Sequence, residues 1–429
     1  MKLTNNSTLL LSYFIKNDCI KESKHSEKTQ KFLKKIYKDL HDGYKYVSDK
    51  IPKSEISLKQ KIIKIEKETD IPNSKNYGYK GIPVEVLKNI KEKSKCIISY
   101  TFSLYERIIK VQFIDCFNMN NQKNELYNTY VETILVWLYI VNKYASKECS
   151  DELDIYLYFT QNMKNLPNSK REIIGENNVN TAFTSTCPVK SDIVVFRKEE
   201  WFKVFIHETF HNFELDFSGL NDNYCTTKIL ELFPVASKVN LYEAYTETWA
   251  EIMNALFCSY LKMGIGEKSV ERFLVNSEFF LYYERNYSFF QMVKILDFMG
   301  LDYKDLYLKG SKFDLKREKL YKEGSSVLSY YIVVTILMSN YESFLQWCSE
   351  HNGQVSLYKF KPTEENMKSF CELIEKNYKS IDMLENVECS EKYLEMYKKI
   401  QKNIIKNKKT DKSLDYILEN TRMTICELG

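Results

Sequence analysis

The chain has 429 residues, 44% of them apolar and 28% charged, which is enough for two or three domains and a sizeable core. Its net charge of +4 is small and evenly spread, so nothing in it argues for nucleic acid or an anionic membrane as a partner. Only 12 Gly and 7 Pro stand against 32 Tyr and 25 Phe, and such scarcity of breakers predicts a helix-rich chain. The apolar runs Leu9–Ile15 and Tyr330–Met338 are too short to span a bilayer. Eleven cysteines lie singly, with no Cys-x-x-Cys pair. An odd, scattered set reads as free thiols in a reducing, intracellular compartment.

Residues 1 to 95 are polar and Lys-rich, with helical periodicity at Lys31–Leu40 and Glu85–Lys93 and a Gly/Pro/Asn-marked loop at Asp70–Gly81. They read as an N-terminal helical extension. Cys96–Leu104 and Arg107–Ile114 are β-branched and aromatic runs either side of Tyr105-Glu106, the pattern of a β-hairpin. Leu126–Lys147 is a long periodic helix carrying Trp137, expected to pack across a sheet. Leu153–Thr160, Asn180–Thr186 and Asp192–Arg197 read as three further strands. A helix then begins at Lys198-Glu199-Glu200, where acidic residues suit a first turn, and stops near Leu215–Gly219. Beyond it helical periodicity dominates, in Tyr242–Met263, Ser269–Met299, Leu328–Glu350 and Glu364–Tyr378, with loops at Lys309–Gly324 and His351–Pro362. Ser390–Leu428 is again Lys-rich and helical. The expectation is an α+β fold, mostly helical. A small mixed sheet with its helices occupies 96–219, a helical subdomain 220–385 and a C-terminal helical tail 386–429.

Chemistry concentrates in the helix after the last strand. It reads Val204-Phe205-Ile206-His207-Glu208-Thr209-Phe210-His211, the pattern His-Glu-x-x-His. Residues i and i+4 share one helical face, so His207 and His211 can hold one tetrahedral zinc ion. Glu208 projects roughly 100° around the helix, beside the metal, where it can take a proton from a zinc-bound water. This is the helical signature of zinc metallopeptidases. The plainer reading is two ordinary polar residues, but the neighbours are Val, Phe and Ile, and two buried imidazoles one turn apart need partners. Zinc needs a third protein ligand and an open position. Only five histidines exist and none follows His211 at ligand spacing, so the candidates are acidic. Glu243, Glu247 and Glu251 recur every four residues on an apolar helix, in line along one face. A solvated acidic stripe is the bland alternative, but among Tyr, Trp, Ala and Ile the row is better aimed at a cation.

His207-Glu208-Thr209-Phe210-His211 followed by Glu243-Ala244-Tyr245-Thr246-Glu247 resembles the gluzincin metallopeptidases, the thermolysin-like class. The resemblance implies a zincin-like catalytic domain with an active-site helix, followed by an all-helical C-terminal domain. It implies a zinc cofactor, Glu243 as third ligand, Glu247 as the carboxylate behind a ligating histidine, and hydrolysis of polypeptides with Glu208 as general base. Because Glu247 and Glu251 repeat the spacing, Glu247 as ligand with Glu251 behind it stays open. The class also binds substrate backbone on an edge strand, a role that Asn180–Ser185 has the composition for. An oxyanion donor is implied too, and Tyr330, Tyr331, Tyr282, Tyr283, Arg285 and His351 all remain candidates. The run Arg197–Phe205 is similar to uncharacterised proteins of large DNA viruses, which implies the cytoplasm of the producing or host cell, or the virion. The rival function is a catalytically inactive, peptidase-like binding protein or virion component that keeps its zinc.

Overall fold

Nine-residue strands Cys96–Leu104 (β2) and Arg107–Asp115 (β3) pair antiparallel through a two-residue turn. Both turn residues, Tyr105 and Glu106, have positive φ, the backbone twist that two-residue hairpins require. The computed structural model describes residues 2–16, 24–51, 60–116, 121–264, 266, 268–353 and 356–429. Lys61–Lys64 (β1) adds antiparallel to β2, while Glu152–Tyr158 (β4) and Lys190–Val195 (β6) continue the sheet in parallel from β3. Ala182–Thr184 (β5) closes the far edge antiparallel to β6, giving the order β1-β2-β3-β4-β6-β5. The fold is therefore α+β, helix-rich around one mixed sheet.

The period-2 alternation of the strands gives the sheet two buried faces. Val111, Phe113, Ile155, Leu157, Ile193 and Val195 face the main core, covered by the crossover helix Asn121–Asn142 that parallel pairing demands. Tyr156, Tyr158, Val194 and Phe196 face a smaller core, covered by Ile71, Ile82, Val86 and Ile90. The first 95 residues are thus more than the helical extension expected of them. They supply β1, roof the second face of the sheet and pack helix Glu27–Lys50 onto the crossover helix. Gly43 lets those helices approach: a Cβ there would meet the Val136 side chain at 3.0 Å.

After the sheet come helix Leu241–Leu261, buried almost all round, and helix Val270–Met299, buried almost all round beyond Phe280, as expected of central helices. Three expectations need correction. The loop at Lys309–Gly324 contains a helix, Ser311–Leu320, entered through Gly310. Leu328–Glu350 is not one helix. It opens with a π-helical stretch, Leu328–Val333, continues as Val334–Ser339, and breaks at Asn340, whose side chain caps Tyr341–His351. The C-terminal tail is helical only to Glu419, after which Asn420, Thr421, Arg422, Thr424, Ile425 and Cys426 are fully buried. That segment is held by partners more than a hundred residues upstream, Glu200 and Gln291 among them, which no local periodicity reports.

The cysteine reading is also corrected. Among the described residues Cys149–Cys187 and Cys225–Cys371 are disulfides, joining positions 38 and 146 residues apart, while Cys116, Cys258, Cys348 and Cys426 are free thiols. Single cysteines that far apart give no pairing signal in a sequence. Among the described residues no helix is long and apolar enough to cross a membrane.

Candidate metal centre

The histidine-bearing helix spans Trp201–Asn212, between the sheet edge and helix Leu241–Leu261, and all twelve of its residues are buried. At its start Glu200 has a positive φ, and its carboxylate accepts hydrogen bonds from the backbone N–H of Met423 (2.6 Å) and Thr424 (2.7 Å). Lys164 pairs with the other oxygen at 2.5 Å. At the helix end Glu214 takes the left-handed conformation and Leu215 N–H returns to the Phe210 carbonyl, a Schellman-type stop. The reversal folds Asp216 back beneath the helix it has just left. Asn212 then ties the helix to the sheet, donating to Thr184 Oγ1 at 2.9 Å and accepting from Ser150 Oγ at 2.5 Å.

Three candidate ligand atoms converge. His207 Nε2 is 3.1 Å from His211 Nε2, and Glu243 Oε2 is 3.1 Å from the first and 3.4 Å from the second. Ligand atoms at about 2.0–2.1 Å from a tetrahedral zinc stand about 3.3 Å apart, so the spacing fits one such ion. The donor set fits as well. His207 Nδ1 contacts Glu247 Oε2 at 2.8 Å, and His211 Nδ1 contacts Asp216 Oδ2. Each ring can donate its Nδ1–H outward to a carboxylate and turn its Nε2 lone pair inward, the arrangement that orients metal-bound imidazoles. Burial pushes the Glu243 carboxyl up, but contact with His211 and His207 outweighs it and holds the group well below the usual carboxylate range. Glu247 is likewise held down, at about 2, by Lys203 and His207 against its burial.

Of the alternatives left open, Glu243 is the carboxylate that reaches both Nε2 atoms, and Glu247 stands behind His207. Glu251 lies a turn deeper, where its electrostatic neighbours are Glu284, Glu247 and Lys203. Nothing in the sequence singles out Asp216. Its one signal there is an acidic residue just past the second histidine, meaningful only once the chain reversal is known. A second grouping, Cys149, Cys187 and Glu214, offers no metal ligand set, because its two sulfurs are bonded to each other.

The three groups open onto a cleft of about 210 Å³, lined also by Ala182, Phe183 and Thr184 of the edge strand and by Glu208 and Tyr330. Among the oxyanion candidates Tyr330 is the one lining this cleft, its hydroxyl donating to Glu243 Oε2 at 2.9 Å. The π-helical stretch carries it there, an irregularity that recurs at functional sites. Tyr331 is committed to the Thr421 carbonyl at 2.6 Å, and His351 lies between the Trp347 carbonyl and Ser369. Tyr282, Tyr283 and Arg285 lie outside the cleft lining. Comparison with family models, with curated proteins and with solved structures finds no match for this chain.

Proposed function

We propose that this protein is a zinc metallopeptidase of the gluzincin type, built on a zincin-like catalytic unit. The observation that carries the reading is the convergence of His207 Nε2, His211 Nε2 and Glu243 Oε2 at 3.1–3.4 Å in a cleft that also holds Glu208. A zinc ion bound by those three residues would supply Lewis acidity, polarising a peptide carbonyl and acidifying water. The chain's own groups do the rest. Glu208 accepts a proton at its carboxylate from the attacking water and returns it to the leaving amine. Tyr330 directs its O–H toward the oxygen that gains charge in the transition state. The edge strand β5, unpaired on its outer side among the described strands, offers backbone groups to an extended polypeptide.

Two outcomes test this. Protein purified without chelators is expected to carry about one zinc per chain by elemental analysis. Stripping the metal should abolish cleavage of a denatured-proteome peptide pool, and restoring zinc should recover it. Stoichiometric zinc with no cleavage of any peptide would leave the inactive binding protein as the better account. Tyr330→Phe is expected to lower kcat by about 10²-fold with KM little changed, since the hydroxyl rests on Glu243 Oε2 in the free protein and would turn to the substrate oxygen only in the transition state. An equal loss in KM would make Tyr330 a substrate contact instead.

A further inference from the structure

The metal helix carries one more charged side chain than the proposed chemistry uses. Lys203 lies four residues before His207, on the same helical face, and is only 2% exposed. Its neighbours on the helix are Trp201, Phe202, Val204 and Phe205, among which an apolar residue would be the inexpensive choice. Its ammonium pairs with Glu247 Oε1, itself on a residue 1% exposed, and touches the Met423 thioether at 3.9 Å. Glu200 and Glu251 also act on it electrostatically, but Glu200 is held by Lys164 and two backbone amides, and the ion pair of Lys203 is with Glu247.

The two carboxylates behind the histidines are clamped alike. Asp216 contacts His211 Nδ1 through Oδ2, while its Oδ1 accepts from the Ser218 backbone N–H at 2.8 Å. Glu247 contacts His207 Nδ1 through Oε2, while its Oε1 is held by Lys203. A carboxylate fixed at one oxygen can still swing; one fixed at both has its plane, and therefore its hydrogen-bond direction, defined. For Asp216 the backbone supplies the second anchor. Glu247 sits in mid-helix, where neighbouring backbone amides are used by the helix itself, so a side chain must supply it.

We propose that Lys203 is a positioning residue for the metal centre, acting through Glu247 to hold the His207 ring with Nε2 toward Glu243 and His211. The proposal rests on the zinc-site reading above. Lys203→Met keeps the length of the side chain and removes the ammonium, leaving Glu247 Oε1 without its anchor. Zinc affinity, read by competition with a chromogenic chelator, is expected to fall roughly 10–100-fold. The visible absorption of the cobalt(II)-substituted protein should shift, and kcat should fall more than KM rises. Lys203→Arg is expected to restore most of the affinity. Lys203→Met/Glu247→Gln should bind zinc no more weakly than Glu247→Gln alone, because the lysine acts through that carboxylate.

A lysine that serves only the fold would give the opposite pattern: a lower melting temperature with wild-type zinc affinity and an unchanged cobalt spectrum. That result overturns the proposal, as does an additive double variant. Should Lys203→Met fail to fold, Lys203→Gln is read in the same assays, and wild-type zinc affinity there overturns it equally. If wild-type protein itself binds no zinc, the metallopeptidase reading falls and takes this one with it. If wild type binds zinc and the Lys203 variants bind it as tightly, this proposal alone falls.

Discussion

Replacing Glu208 by Gln is expected to lower peptide hydrolysis by roughly 10²–10⁴-fold while leaving one zinc per chain. The side chain follows the first histidine, so the helix carries it about 100° away from the ligand face. It lines the cleft beside the three converging groups and is not one of them. Gln has the same shape but its amide cannot accept a proton from water, so the variant removes the base and little else. The measurement is paired: turnover of a peptide pool, and zinc content of the same preparation. Loss of both together would mean that the substitution had disturbed the site's structure. Full turnover in the variant would remove Glu208 from the mechanism. If wild type and Glu208→Gln produce the same set of cleaved termini in a proteome digest, the protein is a binder rather than an enzyme.

The parts of the site that could be read in the sequence are those encoded within one or two helical turns. His207, Glu208 and His211 stand out because i, i+4 spacing is a local property of a helix. Glu243 and Glu247 stand out because carboxylates on an apolar helix need a reason to be there. Each remaining part depends on contacts between distant segments. Asp216 reaches His211 only because Glu214 adopts a left-handed conformation and reverses the chain. Tyr330 is one of 32 tyrosines, selected by a π-helical stretch that no propensity marks. Lys203 reads as an ordinary helix lysine until Glu247 is seen against it, 44 residues away. The fold divides the same way. The hairpin turn at Tyr105-Glu106 and the strands beyond it follow from local pattern, though their parallel pairing does not. The roofing of the second sheet face by Ile71–Ile90 does not, nor does the burial of residues 420–427, nor the pairing of the cysteines.

The choice of third ligand gives the last large effect. Glu243→Ala is expected to weaken zinc binding well beyond the roughly 10–100-fold expected for Glu247→Gln, because it removes a donor atom rather than the support of one. Glu243 Oε2 is the carboxylate oxygen near both Nε2 atoms, at 3.1 and 3.4 Å, whereas Glu247 meets His207 on the opposite edge of the ring, at Nδ1. A ring nitrogen that donates its proton to Glu247 cannot share a metal with it, so the two glutamates are not interchangeable. Titration with zinc against a competing chelator ranks the variants directly. Hydrolysis should vanish in Glu243→Ala at zinc concentrations that saturate the wild type, and Glu247→Gln should regain part of its activity as zinc is raised. The reverse ranking, with Glu247→Gln losing the metal outright and Glu243→Ala keeping it, would require the helix Leu241–Leu261 to shift along its axis by about one turn relative to the histidines. That would bring Glu251, rather than Glu247, behind the metal-bound imidazole.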